Sequence, residues 1–223
     1  MFEEEDEQNL IADMQTVGIA LLVLLGLRRT GQNVSFDSAT GQFVIDGRRV
    51  NERTIRLLIG RITDTMRRDM RQATIDYFEN RISLDEWEKT MNRKITSGHW
   101  ASAALILGGL TVARRAGFLF DRIRNEMRFA SIFKDDIRNG RTSEARAAYR
   151  ASSYADAINV TAAEGERIKA EADGRRFALR VITATESCAG CLQWAGRWIR
   201  IEDMPPIGSL DCISHCKCVM YYR

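Results

Sequence analysis

Apolar side chains recur every three to four residues along most of this chain, and that spacing predicts a mainly α-helical fold. The clearest stretch begins after Asn51, a residue type that suits the N-cap position of a helix. Its apolar positions are Ile55, Leu58, Ile59, Ile62, Met66, Met70, Ala73 and Tyr77. We therefore predict one long amphipathic helix with a buried apolar face and a polar opposite face.

Three further stretches predict the rest of a helical body. Ser83–Glu86 has the form of a capping box, so a helix is expected to start at Leu84 and to be interrupted at Gly108. A second helix is expected over about residues 116–138. A third is expected over about residues 142–172, where Gly165 lowers the helix propensity.

Two regions have a pattern that is typical of β-structure. Residues 34–50 contain two short apolar pieces and the strong turn signal Asp46-Gly47, which together predict a small hairpin or β-arm. At Phe177 the pattern becomes strand-like and leads directly into the cysteines. Strands are expected again at Trp198–Ile201 and at Val219–Tyr222.

The longest apolar run, Val17–Leu27, belongs to a helix predicted over about residues 9–29. It is shorter than the ~20 residues that span a bilayer. The acidic residues before it differ from the basic start of a secretory signal. We therefore expect a buried or partner-facing helix and no membrane partner. A membrane-active segment is the alternative, because Arg28 and Arg29 would suit a membrane surface.

The charges of the chain nearly balance, so the total charge does not identify a nucleic-acid binder. The 223 residues carry a formal net charge of +3. Arginines cluster on the polar face of the long helix, where the candidates for phosphate contacts are Arg56, Arg67, Arg68 and Arg71. Acidic residues are interleaved with them, so a solvated face with intrahelical ion pairs is favoured over a DNA-binding face.

All five cysteines lie between Ser187 and Tyr222, and this segregation indicates a dedicated site. Their spacing is Cys-x2-Cys, then 20 residues, then Cys-x3-Cys-x-Cys. The first pair has the spacing by which two thiolates reach one tetrahedral zinc ion, and a second pair about 15 to 20 residues away is typical of a zinc ribbon. We predict a structural zinc site held by Cys188, Cys191, Cys212 and Cys216.

Several alternatives stay open for these residues. Cys218 is the best substitute for Cys216, whereas His215 is disfavoured because its side chain should point away from that of its neighbour. Disulfides are the main rival chemistry. A redox-active Cys-x2-Cys is disfavoured because the motif lacks the strand-to-helix setting of such sites. An iron–sulfur cluster fits the number of ligands but not their context.

No enzymatic motif competes with a structural site. The chain has only two histidines, His99 and His215, and it lacks the P-loop, Gly-x-Ser-x-Gly and His-Glu-x2-His patterns. His99 has no carboxylate or cysteine beside it in the sequence, so a core or surface histidine is expected. We therefore predict a protein that is not an enzyme.

The cysteine segment resembles the C-terminal signature of the phage head-morphogenesis, or minor head protein, family typified by phage Mu. The matching features are Cys188-Ala189-Gly190-Cys191, the following Gly196 and aromatic strand, the Pro205-Pro206 turn, and the closing Cys216-Lys217-Cys218. The family signature usually closes with His-Pro-x-Cys-x-Cys. This chain lacks the His-Pro pair and carries Cys212 one position before the place of that histidine, which keeps a metal ligand and changes its type.

The resemblance implies a virion structural protein of the head or head–tail junction, close to the portal, that acts in head assembly or genome ejection without catalysis. The implied partner is the portal protein, the major capsid protein or both, and packaged double-stranded DNA is a further candidate. Several copies would enter each virion after synthesis in the host cytoplasm. The alternatives are a zinc-containing nucleic-acid-binding protein and a membrane-active ejection protein that uses residues 17–27.

These patterns together predict a mainly α fold in two parts. We expect an elongated helical body over residues 1–176, with the β-arm near residues 34–50, and a cysteine-rich, zinc-ribbon-like subdomain over residues 177–223. A subdomain of that size buries little apolar surface, so a metal ion would be needed to rigidify it as a docking element.

Overall fold

The computed structural model of the protein describes residues 34–37, 42–45, 47–49, 52–108, 117–213 and 216–223. The helix predicted over about residues 9–29, with its apolar run, lies outside the described residues. His215, one of the candidate ligands, lies outside them as well.

Helices form most of the described chain, so the predicted fold class is confirmed. Their bounds are Glu52–Phe78 (α1), Leu84–Leu107 (α2), Phe118–Arg138 (α3), Glu144–Ser153 (α4) and Ala157–Ala172 (α5). The capping box at the start of α2 is also confirmed. The Ser83 hydroxyl accepts a hydrogen bond from the Glu86 amide at 3.2 Å, and the Glu86 carboxylate accepts one from the Ser83 amide at 2.8 Å.

The prediction of one helix over about residues 142–172 is wrong, because a 3-10 turn at Tyr154–Asp156 separates α4 from α5. Just before the turn, the hydroxyls of Ser152 and Ser153 both donate to the Tyr149 carbonyl, at 2.7 and 3.1 Å. Such bonds back to the preceding helical turn favour a bend. Gly165 does not interrupt α5.

The main core lies where α1, α2, α4 and α5 meet, with α3 closing one side. The predicted apolar face of α1 supplies six of its members: Leu58, Ile59, Ile62, Met66, Met70 and Ala73. Trp87 is fully buried at the centre, edge-on to Phe133 with ring centroids 5.4 Å apart. Its indole nitrogen donates to the Thr74 hydroxyl at 2.9 Å, so the polar atom of this large side chain is satisfied.

The predicted β-arm is confirmed as a three-stranded antiparallel sheet. Its strands are Val34–Asp37 (β1), Gln42–Ile45 (β2) and Arg48–Arg49 (β3), in that spatial order. Gly47 adopts a φ of +76°, which explains why a glycine occupies the turn between β2 and β3.

A second antiparallel sheet carries the C-terminal segment. Its strands are Phe177–Val181 (β4), Trp198–Arg200 (β5) and Val219–Tyr222 (β6), with β4 in the centre. A short helix, Ala189–Trp194 (α6), and a 3-10 turn at Ile201–Asp203 lie between strands. A second core cluster joins this sheet to Val160 and Ala170 of α5. The C-terminal unit therefore packs on the helical body, and the boundary after residue 176 stays a prediction.

Candidate metal centre

Three chain segments bring the cysteines together. Cys188 is the N-cap residue of α6, and Cys191 lies in the first turn of that helix. Cys212 lies in the turn that follows the Pro205–Gly208 reversal, and the last two cysteines lead into β6. Because β4 pairs with both β5 and β6, the sheet holds the ends of all these segments close to one another.

The expectation that the Cys-x2-Cys motif lacks a strand-to-helix setting is wrong. The motif follows strand β4 and opens helix α6, and the Cys188 sulfur accepts a hydrogen bond from the Cys191 amide at 3.3 Å. The pKa of Cys188 is lowered to about 7, and that backbone hydrogen bond is the largest cause. The feature that distinguishes the site from a two-cysteine redox motif is the convergence of three more sulfurs on it.

The five sulfurs form two overlapping groups that could each hold a metal ion. One group is Cys188, Cys191 and Cys212, and the other is Cys191, Cys216 and Cys218. Within each group all sulfur atoms lie within 4.8 Å of one another. Three of the four predicted ligands thus share one group, and the fourth is joined to them through Cys191. The choice between Cys216 and Cys218 stays a prediction.

Two sulfur separations are close to those of a tetrahedral thiolate site. Metal–sulfur bonds of about 2.3 Å at tetrahedral angles place neighbouring sulfurs about 3.8 Å apart. The Cys191 sulfur lies 3.4 Å from that of Cys212 and 3.8 Å from that of Cys216. All five cysteines are free thiols in this structure. The residues present therefore fit a sulfur-bound metal ion.

Burial and mutual contact divide the thiols into two kinds. Burial raises the pKa of Cys191 and Cys212, and it raises that of Cys218 to about 12. Burial acts in the same direction on Cys216, but the Cys218 amide and neighbouring thiols outweigh it, so the pKa of Cys216 is lowered. The cluster therefore contains thiols that ionise readily beside others that need a cation to do so.

Arg180 is the residue of this site that the sequence interpretation missed. It lies on β4 with 0% of its side chain exposed, and one guanidinium nitrogen donates to the Cys191 sulfur at 3.1 Å. A signal for its position was present in the strand pattern. Residues alternate between the two faces of a strand, so Arg180 shares the inward face with Ala178.

The arginines of α1 are partly used within the fold. Arg56 pairs with Glu166 at 3.1 Å and so joins α1 to α5. Arg67 pairs with Asp156 at 2.6 Å and so joins α1 to the 3-10 turn before α5. Arg68 and Arg71 are exposed. The structure thus does not use the four candidates alike, and a role in nucleic-acid contact stays a prediction.

His99 is a core residue, as expected. Its side chain is fully buried, and its Nδ1 lies 2.6 Å from the Thr161 hydroxyl. Burial, with a smaller contribution from the charge of Arg122, lowers the pKa of His99 to about 3. The side chain is therefore neutral at physiological pH.

Within the part of the chain that the structure describes, no helix is both long and apolar enough to cross a membrane. Comparisons with protein-family models, curated proteins and solved structures gave no match to this chain. The resemblance to the phage minor head family therefore stays a prediction that rests on the cysteine signature.

Proposed function

We propose that the C-terminal unit is a structural zinc centre, and that the protein serves as a minor head or portal-proximal structural protein of a phage virion. The observation that carries the first part is the convergence of all five cysteines, from three chain segments, in two sulfur groups that share Cys191, whose sulfur lies 3.4 Å from that of Cys212 and 3.8 Å from that of Cys216. The second part rests on the resemblance of this cysteine segment to the minor head signature.

Zinc is the metal that this donor set suits best. Thiolate ligands select zinc, copper(I) or iron–sulfur clusters over hard cations, and four-coordinate all-cysteine sites are typical of structural zinc. Cys188, Cys191, Cys212 and Cys216 would hold the ion, with Cys218 as the substitute for Cys216. Bound there, zinc would supply a crosslink among three segments. Ligands that are all sulfur leave no position for a reacting water, which supports a structural role.

The small size of the C-terminal unit supports the same interpretation. Its core consists mainly of side chains from residues 178–220 together with Val160 and Ala170 of the helical body. Small units of this kind depend on metal ions or crosslinks for stability. The cysteines themselves are members of that core, so a crosslink at this point would rigidify the unit from within.

Metal analysis of the purified full chain tests the zinc centre. Under reducing conditions we expect about one zinc ion per chain, loss of zinc in Cys191→Ser, and retention in the neighbouring control Ser187→Ala. Cys191 is chosen because it belongs to both sulfur groups. Wild-type protein without bound metal and with all thiols titratable would refute the zinc centre.

Partner binding tests the role in the virion. We expect the protein to co-sediment with phage heads or to bind portal protein, and we expect the number of bound copies to be the same with and without DNA. The competing function, nucleic-acid binding, would use the exposed Arg68 and Arg71. It predicts DNA binding that weakens steeply with salt and is reduced in Arg68→Ala and Arg71→Ala. That result, without binding to heads or portal, would reject the virion role.

A further inference from the structure

Arg180 has surroundings that distinguish it from the other arginines of the C-terminal unit. It is fully buried on β4, the central strand of the C-terminal sheet. One guanidinium nitrogen, Nη1, donates to the Cys191 sulfur at 3.1 Å. The other, Nη2, donates to the carbonyls of Pro205 at 2.5 Å and Pro206 at 3.3 Å. The remaining nitrogen, Nε, is buried and has no hydrogen-bond partner among the described residues.

The acceptors around Arg180 do not neutralise its charge unless the sulfur is anionic. An arginine side chain stays protonated in proteins, and a buried charge needs a compensating partner. No carboxylate of the described residues forms a salt bridge with Arg180. Two of its three acceptors are neutral carbonyls, so the Cys191 sulfur is the acceptor that can carry a negative charge.

A thiolate–metal centre supplies that negative charge, whereas a disulfide does not. Four thiolates around one divalent ion leave the centre with a net negative charge, while both sulfurs of a disulfide are neutral. A disulfide at Cys191 would therefore leave the Arg180 guanidinium buried beside three neutral acceptors. The surroundings of Arg180 favour the metal-bound thiolate form over the oxidised form.

Arg180 also connects two of the three segments that carry the cysteines. Its backbone carbonyl accepts a hydrogen bond from the Gly196 amide at 3.0 Å, next to the end of α6. Its side chain holds the Pro205–Pro206 carbonyls, and the chain from there leads to Cys212. One residue of the central strand thus fixes α6, with Cys191, relative to the loop that brings Cys212.

We propose that Arg180 is the positioning and charge-compensating residue of the cysteine centre, holding Cys191 and the Pro205–Pro206 loop in the geometry that retains a metal ion. This inference rests on the proposed zinc centre. Outer partners of metal ligands change metal affinity by about 10- to 100-fold when they are removed. We expect an effect of that size from Arg180.

The test compares zinc affinity of the full chain and three variants by competition with a chromophoric chelator under reducing conditions. Arg180→Met removes the charge and the hydrogen bonds, and we expect zinc affinity to fall by about 10- to 100-fold. Arg180→Lys keeps the charge but loses the paired guanidinium nitrogens, so we expect it to recover only part of that loss. Arg200→Met is the matched control on β5, because Arg200 is exposed and pairs with Glu202 at the surface; we expect it to bind zinc as the wild type does.

Cobalt(II) substitution adds a readout that packing alone would not move. We expect the wild type and Arg200→Met to give similar sulfur-to-cobalt charge-transfer bands, and Arg180→Met to give an altered band. If Arg180→Met does not fold, the Lys variant carries the test, and wild-type zinc affinity in it overturns the inference. Unchanged zinc affinity in Arg180→Met overturns it as well. Wild-type protein that binds no zinc refutes the proposed function itself, and the inference with it.

Discussion

His99 makes the stability of the helical body sensitive to acid. Its side chain is fully buried between α2 and α5, and its Nε2 has no hydrogen-bond partner among the described residues. Burial, and then the nearby positive charge of Arg122, lower its pKa from the ordinary 6.5 to about 3. The unfolded chain therefore binds a proton at His99 over a pH range in which the folded chain does not.

The sign and size of the effect follow from this difference. The contribution of His99 to stability is fully present above pH 6.5 and is lost as the pH falls from 6.5 towards about 3. At pH 5 the loss amounts to about 2 kcal/mol, and it approaches about 5 kcal/mol near pH 3. Glu166 acts in the opposite direction, because burial raises its pKa to about 7. The total pH dependence of the wild type therefore does not isolate His99.

A variant that removes only the titrating group isolates it. We expect the free energy of unfolding, measured by urea denaturation, to fall by about 2 kcal/mol less in His99→Gln than in the wild type between pH 7 and pH 5. Ser102→Ala is the control, because its hydroxyl donates to the Ile158 carbonyl at 2.9 Å in the same interface. It should cost about 1 kcal/mol at both pH values. Any metal released by acid affects the three proteins alike. Equal losses in the wild type and His99→Gln would refute the reasoning.

Two further predictions concern single positions in the fold. Ser83→Ala removes the capping box of α2 and should lower stability by about 1 kcal/mol in thermal denaturation. The control is Ser143→Ala, at an N-cap without a side-chain hydrogen bond, which should change stability by less than about 0.5 kcal/mol. Equal effects of the two substitutions would contradict the capping argument. Gly208→Ala adds a Cβ 2.7 Å from Val160 Cγ1 at a φ of +81° and should cost about 1–3 kcal/mol. Combining it with Val160→Ala should relieve the clash but not the backbone strain, and wild-type stability of the single variant would show that neither operates.

Features that depend on nearby residues could be predicted from the sequence. The capping box at Ser83 needs only the residue three positions on, and the buried face of α1 needs only a repeat of 3.6 residues. The strands β4, β5 and β6 were likewise signalled by short runs of apolar and β-branched residues. The cysteine spacing indicated the existence of a site, since ligand pairs of metal centres are themselves local motifs.

Features that depend on distant residues could not be predicted in this way. The break at Tyr154–Asp156 places the Tyr154 ring in a stack with Phe133, with centroids 6.3 Å apart, and that contact joins segments far apart in sequence. Gly165 stays helical because it lies against Ile106, where an added Cβ would be 3.0 Å from a side-chain carbon. Helix propensity alone places the weak point at the glycine, and tertiary packing overrides it.

The chain between β5 and β6 is the part of the C-terminal unit that most needs a crosslink. Residues 204–218 contain no strand among those described, so the sheet holds this segment only at its ends. Arg180 fastens its beginning through the prolyl carbonyls, and the Thr183 hydroxyl donates to the Lys217 carbonyl near its end. Between these points Ile207 is buried in the second core cluster with Leu210 packed against it, and the sulfurs of Cys212 and Cys216 belong to the two sulfur groups. In the proposed role a metal ion would join this loop to α6, and the strand that follows would then be held as part of one rigid docking unit.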